Sequence, residues 1–208
     1  VINTTNGVNH TMSTYRQGKS ELIGTLEKWD TLIPGRTKIH LIACGGTALT
    51  LLGHKESTKD VDFIVPVEKE HDLLVQFLKD AGYKQASGSG WIYPGEKIIY
   101  DLYKGKRVFT TELLSSPLEK DGNRKILELK KIYLGVLNSM DWIITKMFRG
   151  SSVDREDCIA LAKHEAIDLK ELENRFKETA KYDVSEERVL KNLDLILNDI
   201  KKVRGGKS

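Results

Sequence analysis

The sequence predicts an α+β fold, in which a mixed β-sheet core with flanking helices is followed by a C-terminal helical segment. Before Asn138, short β-branched and aromatic runs alternate with Gly and Pro-Gly turns, a pattern typical of strands and hairpins. Beyond Asn138 the apolar residues recur at helical spacing. Strands early in a chain and helices late in it are typical of an α+β domain with a helical addition.

Composition limits the classes of protein to consider. The chain has 208 residues, of which 39% are hydrophobic, so it can bury a core. No stretch approaches the roughly 20 apolar residues that a membrane-spanning helix needs. The formal net charge of +3 is mildly basic, which is not typical of a dedicated nucleic-acid binder. The N-terminus lacks a secretory pattern, and we expect a cytoplasmic protein with no membrane association and with Cys44 and Cys158 reduced in the core.

Three parts are predicted along the chain: a loose N-terminal arm (1–18), a core (19–137) and a C-terminal helical domain (138–208). The core opens with a helix from Leu22 to Pro34-Gly35, a strand over 38–44, a short helix over 47–52, a strand over 61–65 and an amphipathic helix over 68–81. The apolar face of that last helix is predicted to consist of Leu73, Leu74, Phe77, Leu78 and Ala81.

The second half of the core is predicted to be antiparallel. Residues 88–111 favour hairpins, because Gly and Pro-Gly separate short aromatic and β-branched runs. The stretch "EKDGNRK" predicts a turn, and "KKIYLGVL" predicts a last strand. The predicted C-terminal helices cover 139–149, 153–165, 168–181 and 185–203.

Two aspartates stand two residues apart in a strand whose other residues are apolar. Side chains at i and i+2 of a strand point to the same face, so Asp60 and Asp62 are about 7 Å apart and repel each other. A divalent cation removes this repulsion, and Mg²⁺ prefers oxygen ligands from one or two carboxylates together with substrate phosphates. The pair therefore predicts a metal site.

A Gly-Gly pair precedes these aspartates. Gly45 and Gly46 close one strand and open a helix, where unhindered backbone N–H groups and the helix dipole can hold phosphate oxygens. Thr47 adds a hydroxyl at the start of the helix. Neither a Walker A loop nor a dinucleotide-binding G-x-G-x-x-G is present. A phosphate-binding turn followed by a metal-binding strand indicates a nucleoside triphosphate.

The stretch "GGTALTLLGHKESTKDVDF" resembles the signature of the nucleotidyltransferase superfamily that includes DNA polymerase beta. It is more narrowly similar to the prokaryotic branch of the AbiEii-type toxins, and the similarity covers roughly residues 38–165. The resemblance implies that Gly45 and Gly46 contact the triphosphate and that Asp60 and Asp62 bind metal ions. A third carboxylate on a later strand is also implied, and Asp101 in "KIIYDLYKG" is the candidate.

The resemblance extends to basic residues. It implies that Lys146, in the first predicted C-terminal helix, reaches the nucleotide, and Arg149 shares its helix face. Related proteins often carry arginine near Lys55, and a lysine can still meet phosphate as a point charge. Asp154 and Asp157 are expected to cap and pair locally.

These observations predict a metal-dependent nucleotidyltransferase that moves a nucleoside monophosphate to a hydroxyl acceptor and is similar to toxins of toxin–antitoxin pairs. Asp60, Asp62 and Asp101 are the predicted catalytic and metal-binding residues. They are expected to bind two Mg²⁺ ions, with Mn²⁺ as an alternative to Mg²⁺. Acceptor (tRNA, protein or small molecule), preferred nucleotide and oligomeric state stay open. One alternative is a binding module that has lost the chemistry. Another is an aminoglycoside-type adenylyltransferase, which needs an acidic pocket for a cationic acceptor; the candidates for it are Glu165, Glu171 and Glu173.

Overall fold

The computed structural model describes residues 16–205, and the helices follow the predicted order. They are α1 (Lys19–Leu32), α2 (Gly45–Leu52), α3 (Glu68–Asp80), α4 (Ser139–Arg149), α5 (Ser152–Ala162), α6 (Leu169–Ala180) and α7 (Glu186–Gly205). Each of the four predicted C-terminal helices is present, with ends that differ from the prediction by three residues or fewer.

The strands divide into one large sheet and two small pairs. They are β1 (Gln17–Gly18), β2 (Ile39–Ala43), β3 (Ser57–Thr58), β4 (Asp60–Val65), β5 (Lys84–Ser87), β6 (Gly90–Ile92), β7 (Ile99–Lys104), β8 (Arg107–Val108), β9 (Thr111–Glu112), β10 (Asn123–Glu128) and β11 (Ile132–Leu137). The large sheet has seven strands in the order β10-β11-β2-β4-β7-β6-β5. The pairs β11/β2 and β4/β7 are parallel and the other pairs are antiparallel, so the sheet is mixed. The predicted α+β class is confirmed.

The central strands are covered on both faces. On one face, Trp29 of α1 packs against Tyr100 of β7, with ring centres 5.0 Å apart, and against Phe77 of α3. Because side chains alternate along a strand, Asp101 lies on the face opposite Tyr100. On that face the indole N–H of Trp142 in α4 donates to the carbonyl of Gly45 in α2 (2.9 Å). The first C-terminal helix therefore contacts the glycine pair directly.

The C-terminal helices share one hydrophobic core with the sheet. Phe148 of α4 packs against Phe176 of α6, with ring centres 5.1 Å apart. Arg175 of α6 donates through Nε to Asp141 of α4 (2.6 Å). Cys44 and Cys158 are buried and unbridged, as expected. None of the helices within 16–205 is both long enough and apolar enough to cross a bilayer.

Some local predictions are wrong. Leu73 is 47% exposed, whereas Leu74, Phe77 and Leu78 of the same predicted apolar face are buried. Residues 123–125 of the predicted turn "EKDGNRK" begin β10, which pairs with β11. Of the predicted loose arm, residues 1–15 lie outside the described residues, and Gln17–Gly18 pair with Ser57–Thr58 as β1/β3.

Candidate active site

The three predicted carboxylates lie on one face of two neighbouring strands. β4 and β7 run parallel, and their register places Asp62 beside Asp101 and Asp60 beside Ile99. Residues paired in this way point their side chains to the same face, and so do i and i+2 along a strand. Asp60, Asp62 and Asp101 therefore share a face. They differ in burial, since Asp60 is exposed, Asp101 is half-buried and Asp62 is 8% exposed.

The glycine pair lies against Asp62 and forms the first turn of α2. The backbone N–H of Cys44 donates to the carbonyl of Asp62 (3.1 Å), which joins the end of β2 to β4. Gly45 has a φ of +53°, and a Cβ there would lie 2.8 Å from Cγ of Asp62. A Cβ at Gly46 would lie 2.7 Å from the Thr58 hydroxyl. A side chain at either position would therefore force a neighbour to shift, and at Gly45 the positive φ adds strain. Gly45 thus brings unhindered backbone close to the carboxylate of Asp62.

Thr47 does not line the cavity next to these residues. It is fully buried, and its hydroxyl accepts from the backbone N–H of Asp62 (2.9 Å) and lies 3.3 Å from the carbonyl of Asp60. Because both partners are backbone atoms of β4, the side chain fixes α2 against the strand that carries the two aspartates. The hydroxyl predicted to contact phosphate is therefore directed at the backbone of β4 and not at the cavity.

Burial and mutual repulsion dominate the electrostatics of the carboxylates. Burial, followed by the charge of Asp101, raises the pKa of Asp62 to about 7, against the opposing effect of Lys146. Burial also raises the pKa of Asp101, while the Ser89 hydroxyl, which donates to Oδ1 (2.7 Å), lowers it. The Tyr103 hydroxyl lies 3.5 Å from Oδ1 of Asp62. Burial and the Asp62 charge raise the pKa of this phenol, so it stays neutral.

The two predicted phosphate-binding lysines converge on one acid. Lys55 donates to Oδ1 of Asp157 (3.1 Å), and Lys146 donates to its Oδ2 (2.8 Å). Lys146 is buried and also lies 3.3 Å from Asp154. Asp154 caps its helix, as expected, and does so in a capping box with Ser151, whereas Asp157 connects α5 to a residue 102 positions earlier in the chain.

A cavity of about 440 Å³ opens between these groups. Among its lining residues are seven of the eight predicted site residues: Gly45, Gly46, Lys55, Asp60, Asp62, Asp101 and Lys146. Arg16, Phe109, Arg149 and Asp157 also line it. The volume lies within the usual range for small-molecule sites.

A second, larger cavity of about 740 Å³ lies next to α1 and contains none of the predicted site residues. Its aromatic lining consists of Trp29, Phe77, Tyr83, Tyr93 and Tyr100. Since Tyr100 and Asp101 are on opposite faces of β7, this cavity is separated from the carboxylates by the sheet. The smaller cavity is therefore the candidate active site.

The donor set fits a hard divalent cation through two carboxylates. No group of three or more His, Cys, Asp or Glu side chains within residues 16–205 is arranged so that it could hold a metal ion. Asp62 and Asp101 nevertheless stand side by side, and the pKa of each is raised by burial. Magnesium is usually held by one or two carboxylates and completed by substrate phosphates and water.

Several residues that line the cavity or contact its carboxylates were not predicted to belong to a site. Asp157 was expected to pair locally, and its contact with Lys55 spans too much sequence to be inferred from spacing. Phe109 stands in a turn that carries no glycine or asparagine to mark it. Ser89 and Tyr103 contact Asp101 and Asp62 respectively, and the i+2 spacing of Tyr103 from Asp101 is the one signal that the sequence holds for them.

Comparison with solved structures finds a presumed nucleotidyltransferase from H. pylori. The two chains are 19% identical with a TM-score of 0.46, and the match covers 92% of this chain and 100% of the other. A likeness at this level carries no argument about activity. No protein-family model matches the chain, and the curated proteins contain no match.

Proposed function

We propose that the protein is a metal-dependent nucleotidyltransferase, which moves a nucleoside monophosphate from a nucleoside triphosphate to a hydroxyl acceptor and releases pyrophosphate. One observation carries the proposal. Two mutually repelling carboxylates, the buried Asp62 and the half-buried Asp101, stand side by side in a cavity of about 440 Å³, and the glycine backbone of Gly45 lies against Asp62. The sequence resemblance over residues 44–64 supports the same assignment.

The triphosphate would be bound by backbone and by cations. The first N–H groups of α2, at Gly45 and Gly46, have no partner within the helix and can donate to phosphate oxygens. Lys55 and Lys146 line the same cavity and add positive charge. Thr47 contributes by holding β4 against α2 through the N–H of Asp62.

Asp62 and Asp101 would hold Mg²⁺ or Mn²⁺, and the exposed Asp60 at the start of β4 would add negative charge on the same face of the sheet. The bound metal would neutralise phosphate charge and orient the attacking and leaving oxygens of an in-line displacement. Asp101 is also the proposed base for the acceptor hydroxyl. Its raised pKa makes the carboxylate a stronger base than an ordinary aspartate. Ser89 donates to one of its oxygens and fixes its orientation. Most of the rate would come from positioning and charge neutralisation.

The test is transfer of labelled nucleotide from ATP, GTP, CTP or UTP, with Mg²⁺ or Mn²⁺, to RNA, protein and small-molecule acceptors. Asp62→Asn should abolish transfer and leave the fold intact. Asp194→Asn is the matched control, since Asp194 is exposed on α7 and should leave transfer unchanged. Transfer by Asp62→Asn at the parent rate would contradict the proposal.

A binding module without catalysis is the second candidate. The observation that favours it is the pairing of both Lys55 and Lys146 with Asp157, because this carboxylate offsets positive charge that would otherwise attract the phosphates. Such a module would bind nucleotide with Mg²⁺, raising the unfolding temperature by mass action, and would transfer nothing to any acceptor.

A further inference from the structure

Phe109 has an unfavourable backbone conformation for its residue type. β8 and β9 are joined by the two-residue turn Phe109–Thr110, and Phe109 has a φ of +52°. Hairpin turns with positive φ at the first central position prefer glycine there. A bulky residue in this region is a true outlier, and such strain persists where the surroundings impose it or where it serves a site.

Burial does not account for the phenylalanine. The residue is 46% exposed and its ring lines the cavity that contains Asp62 and Asp101. The neighbouring Val108 is 1% exposed, so the hairpin is anchored to the core by that side chain. The turn therefore presents an aromatic ring to the cavity, although this requires Phe109 to adopt a backbone conformation that is unfavourable for phenylalanine.

The ring is held from two sides. Its centre lies 4.9 Å from the ring centre of Tyr103, whose hydroxyl is near Asp62. The guanidinium carbon of Arg149 lies 4.9 Å from the Phe109 ring centre. Arg149 is itself fixed, because its Nε donates to the fully buried Asp154 (2.7 Å) and its second nitrogen makes a further bond to the same carboxylate. Phe109 is thus a positioned ring with remaining exposed surface.

We propose that Phe109 is the base-stacking residue of the site, on which the nucleobase of a bound nucleoside triphosphate rests. This inference depends on the proposed function, because it needs the triphosphate at Gly45 and Asp62. Every base has a π-face, so stacking supplies affinity for a nucleoside without selecting one base. Phe109 would then distinguish a nucleotide from a bare polyphosphate.

The experiment compares two ligands, MgATP and magnesium tripolyphosphate, by calorimetric titration of the full chain. Phe109→Gly removes the ring and also relieves the positive φ, so it should fold with an unchanged or higher unfolding temperature. Its affinity for ATP should fall by about five-fold or more, while that for tripolyphosphate stays within about two-fold. Phe109→Tyr keeps a stacking ring and should retain both affinities. Tyr182→Gly, which removes a ring that is 71% exposed in the loop after α6, should change neither.

The outcomes are separable. If the parent binds both ligands and Phe109→Gly leaves the ATP affinity unchanged, the stacking assignment is overturned and the proposed function stands. Equal losses for ATP and tripolyphosphate would show that the ring only shapes the cavity, which also overturns it. If the parent binds neither ligand, the proposed function fails, and the stacking assignment fails with it.

Discussion

Asp62 and Asp101 occupy paired positions on the parallel strands β4 and β7, with their side chains on the same face of the sheet. Burial makes the ionisation of both carboxylates less favourable, and the charge of Asp101 makes the ionisation of Asp62 less favourable still. Lys146 offsets part of this cost at Asp62, yet Lys146 is shared with Asp154 and Asp157. The arrangement therefore costs stability at neutral pH, which makes it measurable without knowledge of any substrate.

The first prediction concerns the pH dependence of stability. The pKa of Asp62 is about 7 in the folded protein and near 3.9 in an unfolded chain, so the folded state binds more protons between these values. Stability should therefore fall as pH rises from about 4 to about 7, by an amount on the order of 3–4 kcal/mol, and then level off. Asp101, whose pKa is also raised, adds a contribution of the same sign. Urea unfolding in the absence of divalent cations, repeated from pH 4.5 to 8, measures it.

Asp62→Asn supplies the comparison, because an amide resembles the protonated carboxyl in shape and charge. It should reduce the pH dependence and be more stable than the parent at pH 8, with little difference near pH 4.5. Asp194→Asn, on an exposed helix face, should retain the parent's slope. An Asp62→Asn protein with the parent's slope would show that Asp62 is not the group responsible.

The second prediction tests the close approach of backbone to carboxylate. Gly45→Ala should destabilise the fold by about 1 kcal/mol or more, since alanine resists a φ of +53°. The added Cβ must also displace the Asp62 side chain, whose Cγ would be 2.8 Å away, so nucleotide binding should weaken. Thermal unfolding with and without MgATP measures both effects.

Gly24→Ala is the control for this change. Gly24 lies inside α1, and a Cβ there meets no atom within 4 Å. The substitution should stabilise the helix by about 0.5–1 kcal/mol and leave nucleotide binding unchanged. If Gly45→Ala behaves like Gly24→Ala, the glycine is not required at the site.

Local patterns predicted most of the elements that build the site. The i, i+2 spacing of Asp60 and Asp62 placed both on one face of β4, and flanking apolar residues marked β7 around Asp101. The pairing of Asp62 with Asp101 depends on strand order, which spacing does not contain. Strand β10 was missed because its residues alternate polar and apolar weakly and follow a Gly-containing turn. The long-range contact of Lys55 with Asp157 has no local signal at all.

The third prediction concerns Asp157, which pairs with two lysines of the cavity. Asp157→Asn removes one negative charge from the cavity and loosens its hold on Lys55 and Lys146. Binding of magnesium tripolyphosphate should therefore strengthen, most clearly at low salt, because screening weakens the effect at high salt. Calorimetric titration at two ionic strengths measures it. Glu156→Gln, at the adjacent exposed residue of α5, is the control and should have a much smaller effect on binding. If Asp157→Asn binds tripolyphosphate more weakly than the parent, the prediction is wrong, and Asp157 serves to position the two lysines.

The fourth prediction assigns Thr47 the role of holding β4 in place. Thr47→Val keeps the shape of this fully buried side chain but leaves the backbone N–H of Asp62 without its acceptor, at a cost of about 1–3 kcal/mol. Thr47→Ser keeps the hydroxyl and should recover nucleotide binding. Thr50→Val is the matched control, because the Thr50 hydroxyl is also buried but donates within α2 to the carbonyl of Gly46. Urea unfolding and MgATP titration of the three variants should give the larger loss in both readouts for Thr47→Val. Equal losses for Thr47→Val and Thr50→Val would mean that the Thr47 hydroxyl contributes to packing in α2 and not to the position of Asp62.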